Sequence, residues 1–295
     1  MKKIQRKRIM ASLIIVFIVI ILIIVWFAIP YSPIKAGFES DVESLMHTNK
    51  MNEDKLFLQS DFETLPVPIQ KYIEGCGYIG TPQMSYMRIE YNDVDFMQGR
   101  SGPSLVIDYT QYNFVAQPAR MALIDSSMFG IPFEGYDYYL NGTGGMKGVI
   151  GKVITLFNQT GYDMDKACLA TFLAESLFEP SVLLQDNMTF EEIDDYHVRA
   201  TISYGGQTAA GVFTFNDNYE YISFTTNDRA VANSDGTMEY LPWTAVCSDY
   251  RLSDSGIKYP TNFSAIWNYP NDDFIYFDGV IRSIGYDCGV GKYTM

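Results

Sequence analysis

The stretch that decides the fold is YHVRATISYGGQTAAGVFTFNDNYEYISFTT, residues 196–226. Apolar side chains occur at every second position of its first part: Val198, Ala200, Ile202 and Tyr204. A period of two is typical of a β-strand with one buried and one wetter face. Residues 205–206 and 216–218 are turn formers that reverse the chain. The stretch therefore predicts an antiparallel meander.

Further segments rich in aromatic and β-branched residues lie on both sides of this meander. They are residues 87–96, 103–116, 119–125, 136–141, 244–260, 263–269 and 273–287. Together with the meander they predict one large antiparallel sheet of roughly seven to ten strands.

One strong helix interrupts the strands, in DKACLATFLAESLFEP at 165–180. Asp163 or Asp165 would cap its start, and it should stop before Pro180. Its apolar stripe would pack on the sheet and consists of Leu169, Phe172, Leu173 and Leu177. A weaker helix is expected around Pro68, closed by glycines at 75 and 77. We therefore predict an α+β fold: a large curved antiparallel sheet packed with one or two helices.

The N-terminus predicts a membrane anchor. Lys2, Lys3, Arg6, Lys7 and Arg8 precede an uncharged apolar run over residues 9–29. A helix over this run would span about 30 Å, the thickness of a hydrocarbon core. No small-residue cleavage site is evident before Pro30, although a cleaved signal peptide is the alternative.

The predicted organisation has three parts. Residues 1–30 form a basic cytoplasmic tip and a single transmembrane anchor, 31–64 a connector, and 65–295 a β-rich extracytoplasmic domain. Five of the 21 basic residues and none of the 35 acidic residues precede position 30. So acidic an exported part repels polyanions, which excludes nucleic acid as a partner.

Cofactor and metal motifs fail on spacing. NGTGGMKGVIGK at 141–152 lacks both the phosphate-binding loop pattern and the third glycine of a dinucleotide site, so we interpret it as a turn after a strand. Four cysteines without a CxxC pair argue against zinc; they are Cys76, Cys168, Cys247 and Cys288. A disulfide and free buried thiols both remain open. We expect no cofactor and no metal.

Catalytic constellations are equally sparse. His47 and His197 belong to no triad or HExxH pattern, and we expect His197 at the surface near acidic residues. Glu175, on the apolar helix, is the one candidate general acid, because burial would raise the pKa of its carboxyl. The alternative is a structural ion pair of Glu175 with Arg229 or Arg120.

Aromatic residues make up 15% of the chain, which suits either a ligand-binding surface or an ordinary β-rich core. Under the first interpretation, a ligand site would be lined by Tyr138, Glu175, Arg229, Trp243 and Trp267.

The order of several short motifs resembles an uncharacterised bacterial membrane-anchored family, the domain of unknown function 6544 type. They include LPVPIQKYI at 65–73, YDYYLNGTGGMKG at 136–148, LAESLFEPSVLL at 173–184 and GIKYP at 256–260. The resemblance covers residues 62–287 and implies an envelope location without an established activity. By analogy it implies a half-open barrel like those of lipoprotein-carrier proteins. The family commonly has an arginine where Thr171 stands and often a tryptophan where Phe178 stands.

Three functions follow as hypotheses. The first is a membrane-tethered extracytoplasmic binding domain, with an apolar cleft between sheet and helix for a lipid-like or other hydrophobic molecule. The second is an envelope hydrolase in which Glu175 faces solvent. The third is an interaction module that meets another envelope protein through an exposed apolar patch.

Overall fold

A computed structural model describes residues 2–48, 55–100, 102–232, 237–253 and 255–286. Its helices are α1 (Lys2–Ala28), α2 (Pro33–Thr48), α3 (Val67–Gly75) and α4 (Tyr162–Glu175). Short 3-10 turns occupy Gln59–Asp61, Ser176–Phe178 and Pro180–Leu184.

Fifteen strands are described. They are β1 (Tyr86–Met97), β2 (Ser104–Phe114), β3 (Ala119–Met128), β4 (Ile131–Leu140), β5 (Thr143–Ile150), β6 (Ile154–Thr160), β7 (Met188–Asp194), β8 (His197–Tyr204), β9 (Gln207–Phe215), β10 (Tyr221–Thr226), β11 (Ala230–Ala232), β12 (Met238–Tyr240), β13 (Trp243–Leu252), β14 (Lys258–Asn268) and β15 (Asp273–Tyr286). All except β11 and β12, which pair with each other, form one 13-stranded sheet in the order β6-β5-β4-β3-β2-β1-β15-β14-β13-β10-β9-β8-β7.

The estimate of seven to ten strands is too low, because the sequence concealed β5, β6 and β7. Strand β5 carries three glycines and β7 ends in EEID, and both residue types are depleted in strands. Backbone pairing along the whole of β4 and β8 nevertheless recruits them into the sheet. Asn141 and Gly142, both with positive φ, form the turn between β4 and β5, as predicted.

The sheet curls until distant strands meet. A Cβ placed on Gly142, in the β4–β5 turn, would lie 2.6 Å from the Cα of Gly205 in the β8–β9 turn. The hydroxyl of Tyr139 also reaches the carbonyl oxygen of Tyr204, at 3.4 Å. These strands stand near opposite ends of the sheet order, while the described edge strands β6 and β7 do not pair with each other. The curved, half-open barrel is therefore confirmed.

Helix α4 fills the barrel. It contacts β5 on one side and β8 and β9 on the other, and its predicted stripe is completely buried. The helix ends at Glu175, and a 3-10 turn carries the chain to Pro180. The predicted aspartate cap is wrong: Gly161 is the N-cap residue, and Asp165 instead accepts a hydrogen bond from the backbone N–H of Gly144, at 2.7 Å.

The helices α2 and α3 pack in different places. Ile69 and Tyr72 of α3 are buried in the main core that also contains α4, whereas α2 packs Phe38 and Val42 in a separate cluster on the outer face of the sheet. The predicted connector thus contributes to the packing, and it also places Phe57 in the main core. Among the described residues, α1 continuing into α2 is the helical segment long and apolar enough to cross a membrane.

The cysteines that the structure describes are buried free thiols: Cys76, Cys168 and Cys247. Any pairing of Cys288 lies outside the described residues. Of the two possibilities left open, the free thiol is observed for these three.

Candidate functional site

The hairpin of β5 and β6 is attached to the C-terminal end of α1. The indole Nε1 of Trp26 donates to the carbonyl oxygen of Gly151, at 3.1 Å. In return, the ammonium of Lys152 donates to the carbonyl oxygens of Trp26 at 3.3 Å, Phe27 at 3.2 Å and Tyr31 at 3.4 Å, and also to that of Ile29. Lys152 is only 5% exposed.

This arrangement is a C-terminal cap of α1 supplied by a distant residue. The last carbonyls of an α-helix have no partner within the helix and carry the negative end of its dipole. A lysine ammonium satisfies both needs, with hydrogen bonds and with charge. Lys152 reaches the carbonyls from a left-handed backbone conformation, with φ of +71° directly after Gly151 at +61°.

An apolar pocket of about 450 Å³ opens between α1 and the hairpin. It is lined by Val19, Leu22, Ile23, Trp26, Phe27, Ile131, Ile150, Gly151, Val153 and Ile154. The Trp26 indole is the one lining side chain with a hydrogen-bonding group, and its N–H already donates to the carbonyl oxygen of Gly151. The pocket therefore suits an apolar ligand.

The cleft expected between sheet and α4 is filled instead. Phe172, Leu173 and Leu177 are at most 1% exposed and belong to one continuous core with the strands. A second surface pocket, near Asp61 and Gln185, has a mainly polar lining and lies away from the predicted ligand residues.

Glu175 ends α4 inside the barrel, 4% exposed. Its carboxylate accepts from the Arg120 Nε at 3.0 Å, from Gln111 at 2.7 Å and from Asn113 at 2.9 Å. Arg120 uses its other nitrogens on Asp137, at 2.7 Å, and on the hydroxyl of Tyr109. Of the two partners left open by the sequence, the structure selects Arg120.

The network around Glu175 is chemically closed. The carboxylate has three donors. Burial by itself lowers the pKa of the Arg120 guanidinium, but the charges of Glu175, Tyr109 and Asp137 outweigh it and hold that pKa well above the usual value. A general acid needs access to a substrate. Glu175 is buried and bound by groups of the protein itself, and its contacts join α4 to β2 and β3.

Three of the five residues predicted to line a ligand site lie side by side: Arg229, Trp243 and Trp267. The Arg229 guanidinium lies 4.4 Å from the ring centre of Trp243 and 5.3 Å from that of Trp267. Arg229 and the Trp243 indole both donate to the hydroxyl of Tyr276, each at 3.1 Å. No ion pair between described residues includes Arg229, so cation–π contact is its main compensation.

Tyr138 does not join this group. It packs beside Tyr136, with ring centres 5.2 Å apart, in the cluster that α2 forms on the outer face of the sheet. Its neighbours Asp137 and Tyr139 point inward, because successive side chains of a strand alternate. The five predicted ligand residues thus fall in three places.

Glu179, four residues after Glu175, is a second buried carboxyl that the sequence did not single out. It is 0% exposed, and neither oxygen has a hydrogen-bond partner among the described residues. Burial, and next the nearby charge of Glu175, raise the pKa of Glu179 well above its usual range.

The remaining polar candidates are at the surface. His197 lies at the start of β8 with its Nδ1 2.7 Å from Asp194, near acidic neighbours as predicted. Among the residues that the structure describes, no group of three histidine, cysteine or carboxylate side chains is arranged to hold a metal.

The site at α1 was missed by sequence reasoning. Its one local signal is an apolar run over residues 148–157, directly after the glycine-rich turn. Lys152 is the only charged residue in this run. That run predicts an apolar surface, but nothing in it identifies α1 as its neighbour.

Comparison with known proteins places the chain in a family. No curated protein matches. Among solved structures, a putative outer membrane lipoprotein-sorting protein domain from Vibrio parahaemolyticus shares 8% identity, covering 72% of this chain and 87% of its own, with a TM-score of 0.36. A DUF1329 family protein from Desulfovibrio piger shares 13% identity over 88% and 96%, with a TM-score of 0.37. A family of unknown function, DUF6544, matches residues 55–279, and the chain belongs to that family.

Proposed function

We propose that this protein is a membrane-tethered extracytoplasmic domain that binds a lipid-like hydrophobic molecule. The observation that carries the proposal is the apolar pocket of about 450 Å³ between α1 and the β5–β6 hairpin. The pocket lies against the proposed anchor itself, so a ligand entering it would come from the bilayer.

The topology rests on charge. The basic cluster before residue 9 favours a cytoplasmic N-terminus, with residues 9–29 in the membrane. Everything after Pro30 would then lie outside the cytoplasm.

The size and lining of the pocket define the ligand class. Small-molecule pockets typically measure about 300–1,000 Å³, and this one falls within that range. Because its lining offers no free donor or acceptor, affinity would come from burying apolar surface. A single acyl chain meets this requirement better than a polar metabolite.

The two other hypotheses are less well supported. A hydrolase with Glu175 as general acid requires a solvent-facing carboxylate, whereas Glu175 is buried against Arg120. An interaction module requires an exposed apolar patch, and the patch present here adjoins the membrane helix.

The test uses the full chain reconstituted with phosphatidylglycerol that carries a photoreactive diazirine in one acyl chain. We expect crosslinks at Ile131 and at 150–154, mapped by mass spectrometry. Ile131→Trp fills the pocket with a larger ring and should reduce these crosslinks several-fold. Crosslinks to residues 9–18, which report ordinary lipid around α1, should be unchanged.

Leu252→Trp is the matched control, since Leu252 is 71% exposed on β13, away from the pocket. It should leave both sets of crosslinks unchanged. Equal labelling at 150–154 in all three proteins would remove the pocket as a lipid site.

A further inference from the structure

Five large apolar side chains around the α1 junction are exposed. They are Phe129 at 92%, Ile131 at 37%, Val153 at 65%, Ile154 at 61% and Leu156 at 47%. We call this set the apolar foot. It combines the β3–β4 turn with the β5–β6 hairpin, and three of its members also line the pocket.

The foot is free of charge in a strongly charged chain. Residues 126–133 contain no charged side chain, and residues 148–160 contain only Lys152. That ammonium is buried among the carbonyls at the end of α1 and presents no charge to the surface. An uncharged apolar surface of this kind marks an interaction site.

The position of the foot along α1 indicates its surroundings. Lining residues of α1 extend from Phe27 back to Val19. At 1.5 Å per residue, Val19 lies about 15 Å below Ile29, or half the thickness of a hydrocarbon core. The hairpin therefore runs beside the half of α1 that would lie in the outer leaflet.

Three peptide groups at the tip of the hairpin have hydrogen-bond partners within the protein. The Gly151 N–H donates to the carbonyl of Pro132, at 2.7 Å, and its own carbonyl accepts from Trp26. The Val153 N–H donates to the carbonyl of Ile150, at 3.4 Å. Peptide groups without such partners are excluded from hydrocarbon.

We propose that the apolar foot inserts into the outer leaflet beside α1 and that its partner is the acyl region of the bilayer. Lys152 and Trp26 hold the hairpin on α1, so the depth of the foot in the membrane is fixed by the position of the helix. The inference rests on the membrane tether of the proposed function but needs no bound ligand. It gives the domain a second attachment and a fixed orientation.

Site-directed spin labelling of the full chain in phosphatidylcholine–phosphatidylglycerol vesicles tests this. Nitroxides are attached at Phe129→Cys and Ile154→Cys in a Cys288→Ser background, since Cys76, Cys168 and Cys247 are buried. Both labels should collide several-fold more with oxygen, relative to a water-soluble nickel reagent, than a label at Leu252→Cys. Leu252 is the last residue of β13. Because neighbouring strands are antiparallel, it lies at the end of the strands opposite to the end that carries the foot.

A label at Ile14→Cys separates the possible failures. Lipid exposure at Ile14 with water exposure at 129 and 154 would overturn the foot and leave the tether intact. Water exposure at all positions would remove the tether as well. Spin–spin broadening at 154 that grows with the protein-to-lipid ratio would replace the bilayer by a second copy of this chain as the partner.

Discussion

Two buried cations, Arg120 and Lys152, have the same exposure of 5% but are compensated in different ways. Arg120 lies inside the barrel between two carboxylates, those of Glu175 and Asp137. Lys152 lies at the junction with α1, and its described partners are backbone carbonyls. The first cation joins elements of one core, whereas the second joins the domain to its proposed anchor.

This difference teaches where function should be sought. Full charges that neutralise each other inside a protein are costly to separate, because removal of one leaves the other buried and unpaired. Carbonyl dipoles at a helix end stabilise a buried cation less than a full opposite charge does. When the cation is removed, these carbonyls are partly accessible to water. The interior network should therefore govern stability, and the junction should govern the placement of the domain.

The largest expected effect is that of Arg120→Met, which keeps an unbranched apolar side chain but removes the guanidinium and its charge. Glu175 and Asp137 would lose their cation, so we expect a loss of about 3–5 kcal/mol in the free energy of unfolding. Denaturant unfolding of the full chain in detergent micelles measures it. Arg199→Met is the control, because Arg199 and Glu191 are 3.8 Å apart and mostly exposed; its effect should stay within about 0.5 kcal/mol.

A small loss for Arg120→Met, equal to that of Arg199→Met, would contradict the closed network. It would also reopen the question whether Glu175 is available for chemistry.

The interior was the more predictable of the two regions. Alternation placed Val198, Ala200 and Ile202 on a buried face, and all three are 0% exposed. Sequence also limited the partner of Glu175 to two arginines, but the choice depends on which strand passes the end of α4. It could not identify β5, because glycines conceal a strand whose stability comes from its neighbours.

Tyr138 and Lys152 show why the rest could not be predicted. The alternation of side chains along β4 places Tyr138 and Asp137 on opposite faces of the sheet. Because both faces are covered by other elements, the sequence does not indicate which face a ligand would contact. Lys152 meets Phe27 across 125 positions of sequence, and no local pattern encodes such a contact.

Glu179 differs from both cations, because its buried carboxyl has no hydrogen-bond partner among the described residues. The unfolded chain releases this proton above about pH 4.3, whereas the folded protein retains it because the pKa is raised. The folded state then binds more protons than the unfolded state, so its stability falls as pH rises from that value towards the folded pKa. Glu179→Gln removes this dependence.

We therefore expect Glu179→Gln to gain stability relative to the native protein as the pH rises from about 4 to about 7, because the variant has no carboxyl whose proton is held by folding. The informative quantity is the change of the stability difference with pH, because any packing defect caused by the amide is independent of pH. Unfolding midpoints across this range measure it, with Glu191→Gln as an exposed control. Parallel profiles for native protein and variant would show that Glu179 is ionised and paired in the folded state.

The smallest effect on stability is expected for Lys152→Met, about 0.3–1 kcal/mol, because the freed carbonyls at the helix end regain water. Its consequence should be geometric. Without the ammonium, the Trp26 indole makes the remaining described hydrogen bond between α1 and the hairpin, so the distance distribution between nitroxides at Leu13→Cys and Leu252→Cys should broaden. Double electron–electron resonance in vesicles measures this distribution.

Lys147→Met is the control for this variant, since Lys147 lies on β5, which leads into the turn that holds Lys152, and donates to no carbonyl of α1 among the described contacts. It should leave the distribution as narrow as in the native chain. An unchanged distribution for Lys152→Met, or a stability loss as large as that of Arg120→Met, would mean that the two cations serve the same structural role. A broadened distribution with a near-native unfolding midpoint would separate them, because only a contact between two bodies can loosen without unfolding either one.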